Sequence, residues 1–377
     1  MSFGNIFKKV LVWRTLIFAV AVLAMFILPA RPRFTNLTPT ASTGDLLTMW
    51  SNFDGLHYLS IAQYHYDFPG KTDLSYAFFP VYPWLIRTAN IFGSCLISGL
   101  FLSHLFFIAA LFFLYRLVLL DEKPRIAKST IFLVLLFPTS LFFGSVYSES
   151  LFLLLAVLSF YFARKKYFLL ACLAAMVASA TRVTGIFLWP VVAYEFWLAY
   201  GKSLKRSLNP SAIWLALPPL GLLSYMRFQF EKIGDPLFFA HIQSVFTGRT
   251  TDKLILIHQV FYRYFRMLFL TDTNSSLYFA VVLEFLSASL ILLVLILSIK
   301  KIRFSYWIFM FFSFLLPSFS GTFMSVPRYV LVLFPMYIFL AKFLDRMHPF
   351  IRYAYYTLCI IFSVFAIAFF TRGYFIG

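Results

Sequence analysis

The sequence predicts an all-α polytopic membrane protein, and three observations predict it. Of 377 residues, 62% are hydrophobic and only 12% charged. Apolar runs of helix-spanning length recur along the chain, and the basic residues gather in short clusters between them. A soluble protein is about half apolar and a quarter charged. A core of this size would not bury so much apolar surface, so most of that surface faces lipid. The 51 Phe and 22 Tyr suit aromatic packing and interfacial anchoring.

A spanning helix takes about 20 mostly apolar residues, and on that rule about eleven segments qualify. They centre near Val20, Phe106, Leu133, Leu155, Cys172, Val191, Pro218, Leu290, Phe312, Phe334 and Phe362. Several carry proline (Pro138, Pro190, Pro218, Pro219, Pro317 and Pro335), which reads as kinked or broken helices whose neighbours satisfy the freed backbone groups. The first run, Val10 to Ala30, follows Lys8 and Lys9, is interrupted by Arg14 and ends without a clear small-residue cleavage site, so it reads as a retained helix. Cys95, Cys172 and Cys359 lie inside apolar runs and read as small buried hydrophobes. No internal repeat or soluble domain interrupts the chain, so residues 1–377 read as one transmembrane domain.

With the N-terminus on the cytoplasmic side, the dense clusters "ARKKY", "GKSLKR" and "SIKKIR" fall inside, as the positive-inside rule requires. The net charge of +18 therefore reads as topology and not as nucleic-acid binding. Asp45, Asp54, Asp67, Asp73, Glu149, Glu231, Asp235, Asp252 and Asp272 fall outside. Two outer segments are long, residues 31–90 and 230–275, and both hold apolar-aromatic stretches too short to span, which read as interfacial helices. Function is expected on this outer face.

Six motifs there carry charge. "FDGLHYLSIAQY" reads as an amphipathic helix starting after Asp54, with Leu56, Leu59, Ile61 and Ala62 to one side and His57 and Gln63 to the other. By residue type Asp54 is first a helix N-cap, and second a carboxylate able to serve as general base. "FPTSLFFGSVYSESL" puts Glu149 at a membrane helix end, where an ionisable group is costly and often functional; the plainer reading is that Ser148 or Glu149 caps the next helix. "SATRVTGIFLWP" and "SVPRYVLVLFP" put Arg182 and Arg328 at outer turns, each free to snorkel to headgroups, bind a phosphate or pair with Glu149. "KIGDPLFFAHIQ" reads as a turn at Asp235 before a short helix, with His241 on its polar face. "YAFFPVYPWLIR" reads mostly as lipid-facing aromatic anchors. The six His form no HxxH or HxxxH pair, so a divalent metal has no support from the sequence.

These strings, in order from Phe53 to Ala341 ("FDGLHYLSIAQYHY", "YAFFPVYPWLIR", "FPTSLFFGSVYSESLFLLL", "ATRVTGIFLWP", "GDPLFFAHIQ", "PRYVLVLFPMYIFLA"), resemble the PIG-V family of membrane mannosyltransferases, within the GT-C glycosyltransferases. The chain departs from that pattern at Phe53, where the family usually has Trp, and at His65-Tyr66, where it usually has Gly-Tyr. The resemblance implies a GT-C-like fold. It also implies transfer of a sugar, mannose by analogy, from a polyprenyl-phosphate or dolichyl-phosphate donor to a lipid-linked or glycan acceptor on the extracytoplasmic face, with inversion. The membrane would be the plasma membrane in a prokaryote and the endoplasmic reticulum in a eukaryote. Asp54 takes the place of the catalytic base, and Arg328 and Arg182 are the candidates for the donor phosphate. Glu149, His57, Tyr58, Tyr147 and Asp235 are the candidates for binding or orienting substrate. A lipid or sugar transporter and a non-catalytic subunit of a membrane transferase are the alternative readings; the absence of an internal repeat weighs against the first.

Overall fold

A computed structural model of the chain describes residues 1–31, 46–66, 73–90, 93–201, 209–247 and 255–376. The described residues form helices and turns with no strand. The "GKSLKR" cluster and Asp45, Asp67 and Asp252 lie outside them.

Among the described residues, five helical stretches are long and apolar enough to cross a membrane. They are α1 (Phe3–Ile27), α4 (Cys95–Val118), the 3-10 turn Val183–Phe187 continued by α8 (Leu188–Tyr200), α13 (Ser276–Ser298) and α17 (Pro349–Thr371). The chain is a multi-pass integral membrane protein. The remaining apolar centres fall on shorter helices: α5 (Pro124–Leu136), α6 (Glu149–Arg164), α7 (Phe168–Ser179), α9 (Leu217–Ile233), α14 (Phe304–Ser318) and α16 (Phe334–Arg346). The prolines explain the shortness, and they act by ending helices more than by kinking them. Pro138 follows the end of α5, Pro317 lies in the last turn of α14, and Pro218 and Pro335 open α9 and α16, where a missing N–H costs nothing.

Short elements join the longer helices. These are α2 (Asp54–Tyr64), α3 (Val81–Thr88), α10 (Phe238–His241), α11 (Gln243–Thr247), α12 (Ile257–Leu270) and α15 (Val326–Leu331). Two expectations are corrected here. The helix α2 does not lie with one face in solvent: Leu56 through Ala62 are all buried, His57 among them, because α3 and α4 pack against it. The "YAFFPVYP" aromatics are not lipid anchors: Tyr76, Phe78, Phe79 and Tyr82 are buried, and Tyr82 donates or shares its hydroxyl with Ser103 of α4 at 2.7 Å. Trp84, by contrast, is exposed.

Helix α7 is the close-packed centre. Its buried face is Ala171, Cys172, Ala174, Ala175 and Ala178, and such small side chains let neighbouring backbones approach. Both α6 and α9 do so. At Gly221 of α9 an added Cβ would run into the carbonyl of Met176 and the Ser179 hydroxyl. At the other end of α6, several basic residues pair with acids. Arg164 clasps Asp121 with both nitrogens at 2.6 Å, and Arg303 clasps Glu195 at 2.6 and 2.7 Å with Ser305 adding a third bond. Lys342 meets Glu122 at 2.6 Å and Arg125 meets Asp345 at 2.7 Å.

Gly221→Val is expected to force α9 away from α7 and to destabilise the detergent-solubilised protein by about 1–3 kcal/mol, read as a lowered thermal midpoint. Gly4→Ala, where nothing lies within 4 Å, should not lower it.

Candidate active site

Four charged side chains that are far apart in sequence meet in one cluster. Asp54 is the first residue of α2, Glu149 the first of α6, Arg182 follows the end of α7, and Arg328 sits in the last turn of α15. Each charge has the sign its helix end favours, acids at N-termini and cations at C-termini.

The contacts make one chain. Arg328 donates from Nη1 to Asp54 Oδ2 at 2.5 Å and from Nε to Glu149 Oε1 at 2.8 Å. Arg182 Nη1 reaches the same Oε1 at 2.7 Å. Glu149 Oε2 is buried and accepts no hydrogen bond. Side-chain exposure is 0% for Glu149, 8% for Arg328, 11% for Arg182 and 17% for Asp54, so the chain runs from a sealed interior outward to Asp54. Two acids and two guanidinium groups leave it neutral. Leaving any member unpaired would cost several kcal/mol, which is why none of the four is alone.

The backbone strains to present two of them. Phe53, just before Asp54, has φ 58, and Ser325, at the N-cap of α15, has φ 65. Such conformations cost about 1–3 kcal/mol for a non-glycine residue and persist where surrounding contacts fix them. Phe53 occupies the N-cap position and makes no side-chain cap bond, so Asp54 is not the cap; its carboxylate is spent on Arg328. Ser148 occupies the N-cap of α6 and also makes no cap bond; its Oγ meets Tyr58 OH at 2.9 Å and Arg182 Nη1 at 3.4 Å. The snorkelling reading of the two arginines is replaced as well, since both turn inward to Glu149.

The Asp54 segment is tied down on either side. Val146 N–H donates to Trp50 O at 3.0 Å, Tyr147 OH donates to Asn52 O at 2.7 Å, and Asn52 Nδ2 donates to Phe370 O of α17 at 2.7 Å. Gly55 permits this approach: a Cβ there would sit 3.3 Å from Val146 O. Aromatic faces line the cations. Arg328 lies 4.7 Å from the Tyr147 ring centre and 5.2 Å from Phe142, and Arg182 lies 5.3 Å from Tyr329.

Asp54, Arg182 and Arg328 border a cavity of about 880 Å³. His57 and Tyr58 border it too, with the His57 ring stacked 4.6 Å from Phe78. Burial pushes the His57 imidazole below its usual range, partly offset by the Asp54 carboxylate, so the ring is neutral near pH 7. Burial raises the Tyr58 and Tyr147 phenols, which stay protonated hydroxyls. Asp235 stands apart. It accepts from Leu237 N–H at 2.9 Å and pairs with His241 Nδ1 at 2.6 Å, a local turn contact, and it does not border the cavity. Of the candidates named from sequence, Asp54, His57, Tyr58, Tyr147, Glu149, Arg182 and Arg328 therefore converge, while Asp235 does not. Asn52, Phe142, Ser148 and Tyr329 are the neighbours that sequence reasoning did not assign to the site; their only signal is adjacency to the charged motifs.

Glu149→Gln would leave two buried guanidinium groups without their common counter-charge, an effect of about 3–5 kcal/mol. It should lower the thermal midpoint far more than Asp54→Asn, which acts at the open end. Equal midpoints for Glu149→Gln and wild type would show that this pairing does not hold the outer face together.

No family model matches the sequence, and no curated protein matches it. Among solved structures the chain is similar to ArnT from Cupriavidus metallidurans bound to undecaprenyl phosphate, at 15% identity and a TM-score of 0.51 over 92% of this chain and 62% of ArnT. It is also similar to the oligosaccharyltransferase AglB from Archaeoglobus fulgidus in complex with an inhibitory peptide and a dolichol-phosphate, at 15% identity and a TM-score of 0.48 over 98% of this chain and 56% of AglB. The chain thus spans less than two thirds of the length of either. The likeness to ArnT shows that the two chains share an all-helical fold.

Proposed function

We propose that the protein is a membrane glycosyltransferase that moves a sugar from a polyprenyl-phosphate donor to a hydroxyl of a lipid-linked or glycan acceptor. The observation that carries this reading is the Asp54–Arg328–Glu149–Arg182 chain, with a carboxylate and two cations on the wall of one large cavity. A glycosyl transfer from a lipid phosphate needs both parts: a base for the attacking hydroxyl and cations for the phosphate that leaves.

In the proposed reaction the acceptor hydroxyl gives its proton to Asp54 while its oxygen bonds to the anomeric carbon. The bond from that carbon to the phosphate oxygen breaks, and its electron pair leaves on the lipid phosphate. Arg328 and Arg182 hold the developing charge in a site lined by aromatic rings. One displacement of this kind inverts the anomeric centre. Neutral His57 and the hydroxyl of Tyr58 face the same cavity and suit contacts to sugar hydroxyls, while Glu149 and Tyr147 keep Arg328 in place. That ArnT, whose fold this chain shares, binds undecaprenyl phosphate supports the donor class. The PIG-V-like strings support mannose as the sugar, and the basic-loop pattern supports an N-terminus inside, about eleven passes and a site on the extracytoplasmic face.

The test is transfer of labelled mannose from polyprenyl-phosphate mannose by the purified full chain. Asp54→Asn should lower turnover by about 10²–10⁴-fold. Wild-type-like turnover in that variant would remove Asp54 from the role of base. Arg182→Gln should raise the donor KM more than it changes the acceptor KM.

A further inference from the structure

The Asp54–Arg328 contact poses a difficulty for the reaction just proposed. A carboxylate oxygen whose lone pair is taken by a guanidinium N–H is not open to the proton of an acceptor hydroxyl. A base in that position is held in check by its partner. Both groups border the cavity, whereas Glu149 does not. Glu149 has no exposure and binds Arg182 as well as Arg328, so it is not the partner that yields. Asp54, the most exposed of the four, holds Arg328 through a single oxygen.

The edges of the guanidinium sharpen this. Arginine binds a phosphate best through two parallel N–H groups. Glu149 takes the Nε–H of Arg328, which leaves the Nη1–Nη2 edge as the bidentate one, and Nη1 is the nitrogen that Asp54 now holds. Charge adds to geometry. The cluster is already neutral, and a phosphate brought beside it adds an anion in a poorly hydrated place.

We infer that the donor's phosphate and the Asp54 carboxylate compete for the Nη1–Nη2 edge of Arg328, so that donor binding itself releases the base and must precede deprotonation of the acceptor. This rests on the phosphate-site reading above. Freed from the guanidinium, the carboxylate oxygen is open to the cavity and takes the proton of the acceptor hydroxyl. After release of the lipid phosphate, Asp54 loses that proton and returns to Arg328. The exchange keeps an empty site from presenting a free base.

The experiment measures binding of undecaprenyl phosphate to the purified full-length protein in detergent. Asp54→Asn, which removes the competitor, should bind about tenfold more tightly than wild type, about 1.4 kcal/mol, while losing transfer. The gain must act through Arg328, so it should vanish in the Asp54→Asn/Arg328→Gln double variant relative to Arg328→Gln alone. Asp54→Ser serves the same comparison should the Asn variant fold poorly. Equal or weaker binding by the Asp54 variants, or a gain that persists without Arg328, overturns the exchange and leaves a phosphate site in place. Absence of binding by wild type and Asp54 variants alike overturns the phosphate site itself, and the exchange with it.

Discussion

Two arginines resting on one carboxylate oxygen hold four helix ends together. Glu149 is wholly out of solvent, and an isolated charge there would be prohibitively costly. Arg182 fixes α6 against the turn after α7, and Arg328 fixes it against α15 and, through Asp54, against α2. The strained backbone at Phe53 and Ser325 accompanies the same demand, since each residue turns the chain just before an element that brings Asp54 or Arg328 into the cluster. Charge matching at four helix ends, aromatic faces over the guanidinium groups and the ties of Asn52 and Tyr147 all serve to keep that geometry fixed in one arrangement.

The two ends of the molecule treat charge differently. At the end with the basic loops, Arg164 and Asp121, and Arg303 and Glu195, pair in closed two-toothed clasps that join helices. At the other end one oxygen is shared, one is left without a partner, and the outermost carboxylate opens on a large cavity. The first arrangement is complete in itself. The second is satisfied only in total charge, and so can accept a rearrangement of partners.

Much of this was legible in the sequence, residue by residue. The lone charges Asp54, Glu149, Arg182 and Arg328 stand at the ends of apolar runs, and a membrane makes such residues conspicuous. The apolar centres also fall on helices. What sequence did not show is tertiary. The one-face pattern of α2 placed His57 outward, yet packing by α3 and α4 buries it, because helical periodicity reports one face only when one neighbour covers it. Asp and Ser residues at helix starts read as caps, and only the three-dimensional partners showed Asp54 turned to Arg328 and Ser148 to Tyr58. A positive φ at Phe53 or Ser325 has no signature in residue type. Asp235 looked like its acidic neighbours in a motif, and its local bond to His241 separates it from them.

The spacing of the four charges along the chain has a consequence for how the protein is made. Arg328 lies 274 positions after Asp54 and 179 after Glu149. A ribosome therefore delivers Glu149 to the membrane long before its second cation exists. During that interval one carboxyl must stay near water, because Arg182 alone does not balance both Asp54 and Glu149. Only when α15 is threaded into place do the last charges cancel. Assembly of the site is thus a late step in the making of the chain, and a chain that stalls before α15 carries one acid more than its cations balance, which distinguishes the unfinished molecule from the finished one.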